Sequence, residues 1–286
     1  MSLLALGLIL TAAIVHASWN LLAKRAGGGA AFVWLFGVLA AGIYAPLALG
    51  VILLQRPSIG PLQLGFVLGS AVLQTSYYLV LQRGYRVGDL SLVYPLARGT
   101  GPMLSTAAAV VFFGERPSAI ALAGALLIGV SVFTLAGSSG ALASSSARAG
   151  VVFGLLTGTI IASYTLWDKQ AVSVLLIPPL LMDWSTNVTR SLLVAPYAAR
   201  NWGEVKREWK LHRRYAIGIA VLNPLSYILV LTAMVFTPVS YVAPAREISI
   251  LVGTVMGAKL LSEGNSRRRV LAAGGMVAGV IALALG

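Results

Sequence analysis

The sequence predicts an all-α membrane protein: ten transmembrane helices forming two inverted five-helix repeats around a central cavity. Three observations carry this expectation. Of 286 residues, 58% are hydrophobic and only 10% charged, a balance foreign to ordinary soluble domains. Apolar runs of about 20 residues recur from end to end, the length that crosses a bilayer core. The two halves also register. Ala71, Val72 and Leu73 fall on Ala220, Val221 and Leu222, Tyr78 on Tyr227, Ser91 on Ser240 and Pro95 on Pro244, all at an offset of 149 residues.

The spans are expected at about 3–23, 30–54, 62–82, 89–113, 118–137, 149–168, 177–199, 214–236, 239–261 and 269–286. The first has a signal-like small-residue site at Val15-His-Ala-Ser18 but no basic segment before it, so it reads as a retained helix. Lys24-Arg-Ala-Gly-Gly-Gly29 separates it from the second, and Gln55-Arg-Pro-Ser58 separates the second from the third. Gly114-Glu-Arg-Pro117 ends the fourth. A Gly/Ser-rich linker at 138–148 divides the first repeat, 1–137, from the second, 149–286. Between the seventh and eighth spans, Asn201 to Arg214 mixes Trp202, Trp209 and many Lys and Arg, the composition of a helix lying at a membrane interface.

The likeness of the halves reaches every span. Ala17-Ser-Trp-Asn-Leu21 with Lys24 matches Ala162-Ser-Tyr-Thr-Leu166 with Lys169, Trp34 and Pro46 match Trp184 and Pro196, and Gly114-Glu115 matches Ser262-Glu263. Five spans per repeat is odd, so the second copy enters the bilayer from the opposite side.

Composition also excludes function classes. The net charge of +13 sits at the ends of apolar runs, where it orients helices, and does not point to nucleic acid. There are no cysteines, and no His/Asp/Glu cluster has metal-ligand spacing, so neither a metal nor a cofactor is expected. Gly137-Ser-Ser-Gly140 has the form of a membrane-protease nucleophile site. The only histidines, His16 and His212, lie far from it in sequence, and an enzyme is not the reading favoured.

Candidate binding residues are the polar groups that apolar spans do not tolerate idly. Arg98, Arg246 and Glu247 stand about 12 Å of helical rise inside their spans. An ion at that depth costs at least ~2.5 kcal/mol unless it meets a partner or a wet cavity. Two readings stay open, a site for a substrate carboxylate and a structural ion pair of Glu247 with Arg98 or Arg246. Neighbours along a helix diverge by about 100°, so Arg246 and Glu247 are expected to serve different partners. Pro95 and Pro244 remove backbone donors beside these charges and open the helices there. Gln74, Tyr77, Tyr78 and Gln82 form one stripe on the third span, answered by Asn223, Ser226 and Tyr227 on the eighth. The first span offers His16, Trp19 and Asn20, the sixth Tyr164 and Trp167, and the fourth Tyr94. Asp183, Asn187 and Arg190 share a face of the seventh, with Asp183 or Glu247 as a possible proton carrier. Glu115 and Glu263 read as loop caps, and Gly124, Gly129, Gly274, Gly275 and Gly279 as points of close helix approach, between the halves or in a homodimer.

Tyr94-Pro-Leu-Ala-Arg-Gly-Thr-Gly-Pro102, Gly114-Glu-Arg-Pro117 and Pro244, set in a ten-span inverted repeat, resemble the EamA-like branch of the drug/metabolite transporter superfamily. That resemblance implies a secondary carrier of small organic metabolites, often amino acids, in a prokaryotic inner membrane, with cytoplasmic termini. The chain departs from it at Ser262, where the repeat would have glycine, and in its loop charges, which by the positive-inside rule put both termini outside. The partners expected are a small solute, with the aromatic walls suiting an aromatic amino acid, and the lipid bilayer, with the chain a monomer or homodimer. Amphipathic-compound efflux and a passive channel are the alternatives.

Overall fold

In the computed structural model the described residues, 1–26, 29–87, 90–136, 145–252 and 267–286, are mostly helical, and no strand occurs among them. The helices are α1 (Leu3–Ala26), α2 (Ala30–Gln55), α3 (Pro61–Val87), α4 (Leu90–Phe112), α5 (Ala119–Ala136), α6 (Ser145–Ser173), α7 (Pro179–Arg200), α8 (Trp202–Phe236), α9 (Val239–Arg246) and α10 (Arg267–Leu285). A further helical stretch runs over 248–252.

Five spans among the described residues are long and apolar enough to cross a membrane: Leu3–Ala23, Ala30–Gln55, Pro61–Val87, Arg148–Ser173 and Trp202–Phe236. That is the build of a membrane protein, in which only helices satisfy their own backbone groups. Ten spans were expected. α7 falls short because Asp183, Asn187 and Arg190 dilute its apolarity, and α9 because it is only 8 residues long. Ala119–Thr134 and Leu271–Leu285 are apolar but shorter.

Three expected boundaries are corrected. The interface segment 201–214 is continuous with α8, a single helix of 35 residues and about 52 Å, well beyond a hydrocarbon core of about 30 Å. No Pro stands between Gly203 and Pro224 to break it, and the one Gly there, Gly218, lies within the helix. α6 runs five residues past the expected end at 168 and begins at Ser145, inside the expected linker, of which 138–144 lie outside the described residues. The ninth span, expected over 239–261 with a break at Pro244, stops as α9 at Arg246 and turns at Glu247. There the Glu247 N–H bonds to Pro244 O at 3.0 Å, a tight three-residue closure in place of the regular α-helical bond.

Three packing devices hold the bundle. Trp34 on α2 donates its indole N–H to Ser191 O on α7 (3.1 Å), and Trp184 on α7 donates to Ala41 O on α2 (2.8 Å). α5 and α10 approach through glycines. A Cβ on Gly124 would lie 2.6 Å from Gly279 O, and one on Gly279 would lie 2.8 Å from Gly124 O. Gly274, expected at such a contact, has no neighbour in reach of an added Cβ, while Gly129 lies against Met103 and Gly275 against Ser131. The third device starts at Gly114, whose φ of 65° ends α4 in the left-handed region that glycine adopts without a Cβ clash. Glu115 N–H then reaches back to Ala109 O, and the Glu115 carboxylate accepts the Val239 and Ser240 N–H groups at 2.8 and 2.9 Å. Glu115 is thus the cap of α9, a negative group on the positive end of a helix dipole. Glu263 and Ser262 lie outside the described residues.

Candidate functional site

The helices enclose a cavity of about 120 Å³ lined almost entirely by polar and aromatic side chains. α1 supplies His16, Trp19 and Asn20, and α3 supplies Gln74, Tyr77 and Tyr78. Spacings of three and four residues put each trio on one helix face. α4 contributes Arg98 and α6 Tyr164, while α7 brings Asp183, Asn187 and Arg190 and α8 brings Asn223, Ser226 and Tyr227. Apolar spans on this scale do not gather so many polar groups by packing alone.

Two carboxylates organise the walls. Asp183 accepts the Asn187 side-chain N–H at 3.0 Å, and Asn187 in turn accepts Arg190 at 2.5 Å, so α7 presents a chain of three linked polar groups. The Arg190 guanidinium lies 5.3 Å from the centre of the Tyr78 ring, a cation–π distance. Behind Tyr227 and Gln74, outside the lining itself, Asp168 is fully buried in α6 and accepts the Tyr227 hydroxyl at 2.5 Å and the Gln74 amide at 3.3 Å. Its Oδ1 has no hydrogen-bond partner among the described residues. Edge-on contacts join Tyr77 to Tyr78 (5.0 Å), Tyr77 to Tyr164 (6.0 Å) and Tyr164 to Tyr227 (6.5 Å), giving an aromatic wall across three helices.

Behind Arg98 lies a third charged group. Arg98 Nε pairs with Glu247 Oε2 at 3.0 Å, and Arg246 Nε stands 3.8 Å from Glu247 Oε1. Arg98 also donates to Ser249 at 3.5 Å. Glu247 is 1% exposed, so among the described residues its charge is compensated by these neighbours. The expectation that Arg246 and Glu247 serve different partners fails, because it took both residues to lie in regular helix. The turn at Glu247 brings both onto one ion-pair cluster.

Of the residues proposed from sequence, Trp19, Gln74, Tyr78, Arg98, Asp183 and Tyr227 line the cavity. Arg246 and Glu247 do not line it. They are buried behind Arg98, and Glu247 borders a void of about 10 Å³ beside Pro244. Tyr94, Pro95 and Gln82 belong to helices of the fold, with side chains outside the described set. Trp167 is not a wall residue. Its ring stacks on Phe66 (4.4 Å), its N–H goes to Phe66 O (2.8 Å), and it fills the space left by Gly69.

Asp168 is the residue that sequence reasoning missed. Placing the end of the sixth span at 168 made it a helix-end charge. Its spacing of four from Tyr164 was the available signal, since it shares that residue's face.

No family model matches the chain, and no curated protein matches it in sequence. Among solved structures, one crystal structure of a protein shares the fold with a TM-score of 0.75, covering 98% of this chain and 98% of its own at 15% sequence identity. At that identity the likeness concerns the fold alone.

Proposed function

We propose that the chain is a secondary carrier that moves a small zwitterionic or anionic organic solute through the central cavity by alternating access. On this reading it is a ten-span inverted repeat of the drug/metabolite transporter type in an inner membrane, and an amino acid, aromatic by preference, is its solute. The observation that carries the proposal is the cavity itself: a buried acid, arginines and tyrosines drawn from helices of both halves, inside an otherwise apolar bundle. Arg98 offers a cation to a carboxylate, Asp183 offers an anion to an ammonium group, and Tyr77, Tyr78, Tyr164 and Tyr227 offer faces to an apolar side chain, with Asp168 holding the Tyr227 hydroxyl from behind.

The inverted repeat draws support from the exchange of tryptophan bonds between α2 and α7. Trp34 and Trp184 are 150 residues apart, and so are their acceptors Ala41 and Ser191, which is the reciprocity a pseudo-two-fold axis produces. The reading is tested by uptake of labelled amino acids into proteoliposomes, with Tyr78→Ala and Asp183→Asn beside the wild type. Saturable uptake lost in either variant, at unchanged melting temperature, is the expected result. Equal transport by all three proteins would remove this cavity as the site.

A further inference from the structure

A second cavity, of about 400 Å³, lies between α2, α3 and α7. Its volume falls within the range of about 300–1,000 Å³ usual for ligand pockets. It sits at the end of the bundle where α2 begins and α3 and α7 finish, with Gly29 and Ala30 on one side and Arg83, Arg86 and Tyr197 on the others. Its walls are divided by chemistry. Thr75, Leu79, Arg83 and Arg86 follow one another down a single face of α3 at four- and three-residue spacing. The apolar part of that stripe faces Val33 and Val194, and the arginines stand about 10 Å further along the helix. Arg190 adds a third cation at the floor, and no carboxylate lines the cavity among the described residues.

We propose that this cleft binds one anionic phospholipid, its phosphate between Arg83 and Arg86 and its acyl chains descending past Leu79. Two features favour a lipid over a soluble anion. Leu79 is 67% exposed and continues the exposed apolar line of Leu64, Leu68 and Val72 on α3, so the cleft opens on the face that meets acyl chains. Tyr197, 42% exposed on the far wall, is the amphipathic residue type found at headgroup level. The site is independent of the solute chosen by the central cavity, although Tyr78 and Arg190 form the partition between the two.

The test is native mass spectrometry of the purified chain with phosphatidylglycerol and phosphatidylcholine in equal amounts, with melting temperature measured in parallel. The wild type is expected to retain phosphatidylglycerol preferentially. That preference should fall about fivefold for each of Arg83→Gln and Arg86→Gln, the factor for roughly 1 kcal/mol per basic residue. Leu79→Trp, which fills the cleft and leaves the charges, should lower retention of both lipids. Lys206→Gln/Arg207→Gln, on the exposed basic face of α8, should leave the preference unchanged. Equal loss in the α8 variant would mean diffuse surface attraction and would overturn the site, as would unchanged preference in the Arg83 and Arg86 variants. A rise in melting temperature with inorganic phosphate, abolished by Arg83→Gln, would assign the cleft to soluble anions and overturn the lipid.

Discussion

Glu247 shows how far single residues constrain the site. Its carboxylate is buried at the turn after α9 and held by Arg98 at 3.0 Å and Arg246 at 3.8 Å. Removing one partner of a buried pair strands the other, which costs on the order of 3–5 kcal/mol. Arg98→Ala should therefore lower the unfolding midpoint sharply, while Arg98→Leu/Glu247→Leu should melt closer to the wild type than either single change. A double variant no better than the worse single would show that the pair is not the interaction at stake. Asp168→Asn behaves differently. It keeps one carbonyl oxygen to accept from both Tyr227 and Gln74 while it removes the charge and turns the other oxygen into a donor, so melting is expected to hold while solute affinity, through these two lining residues, falls about tenfold, the factor for ~1.4 kcal/mol. Most of the cavity residues were legible in the sequence because polar side chains repeated at helical spacing inside apolar spans. Asp168, which supports Tyr227 and Gln74 from behind, was not, because its standing as buried or terminal depends on where α6 ends.

At the scale of elements, the joints carry more information than the spans. Glu115 accepts two N–H groups from the first turn of α9, so Glu115→Ala should destabilise the protein by about 1–2 kcal/mol, and Glu115→Asp, one methylene shorter, by less if it still reaches. Thermal unfolding in detergent measures both. The turn of Gly114 that aims Glu115 was visible as Gly-Glu-Arg-Pro, but its target was not, since Val239 lies 124 residues away. The glycines of α5 and α10 admit a similar argument. Gly124→Leu and Gly279→Leu would each drive a side chain into the opposing helix backbone, at a cost of about 1–3 kcal/mol or more. Gly274→Leu, facing open space, should cost less than either. The break at Glu247 was not legible from hydropathy, because both sides of it are equally apolar. Pro244 was the one hint, and the chain turns three residues after it.

For the whole molecule, the helical and membrane-embedded build followed from composition and from runs of bilayer length. Of the ten spans expected, five stand out by length and apolarity among the described residues, and α7 does not, since it exchanges apolarity for the Asp183–Asn187–Arg190 chain. Residues that make a site weaken the very signal by which a membrane helix is found. A carrier and a channel would share the lining described here, and they differ in whether opposite faces open in alternation. Counterflow separates them most directly. Proteoliposomes loaded with unlabelled solute and diluted into a trace of labelled solute should accumulate label transiently above its equilibrium level, and Asp183→Asn should abolish the overshoot at unchanged melting temperature. Label that rises monotonically to equilibrium in the wild type, with no overshoot at any internal load, would contradict alternating access.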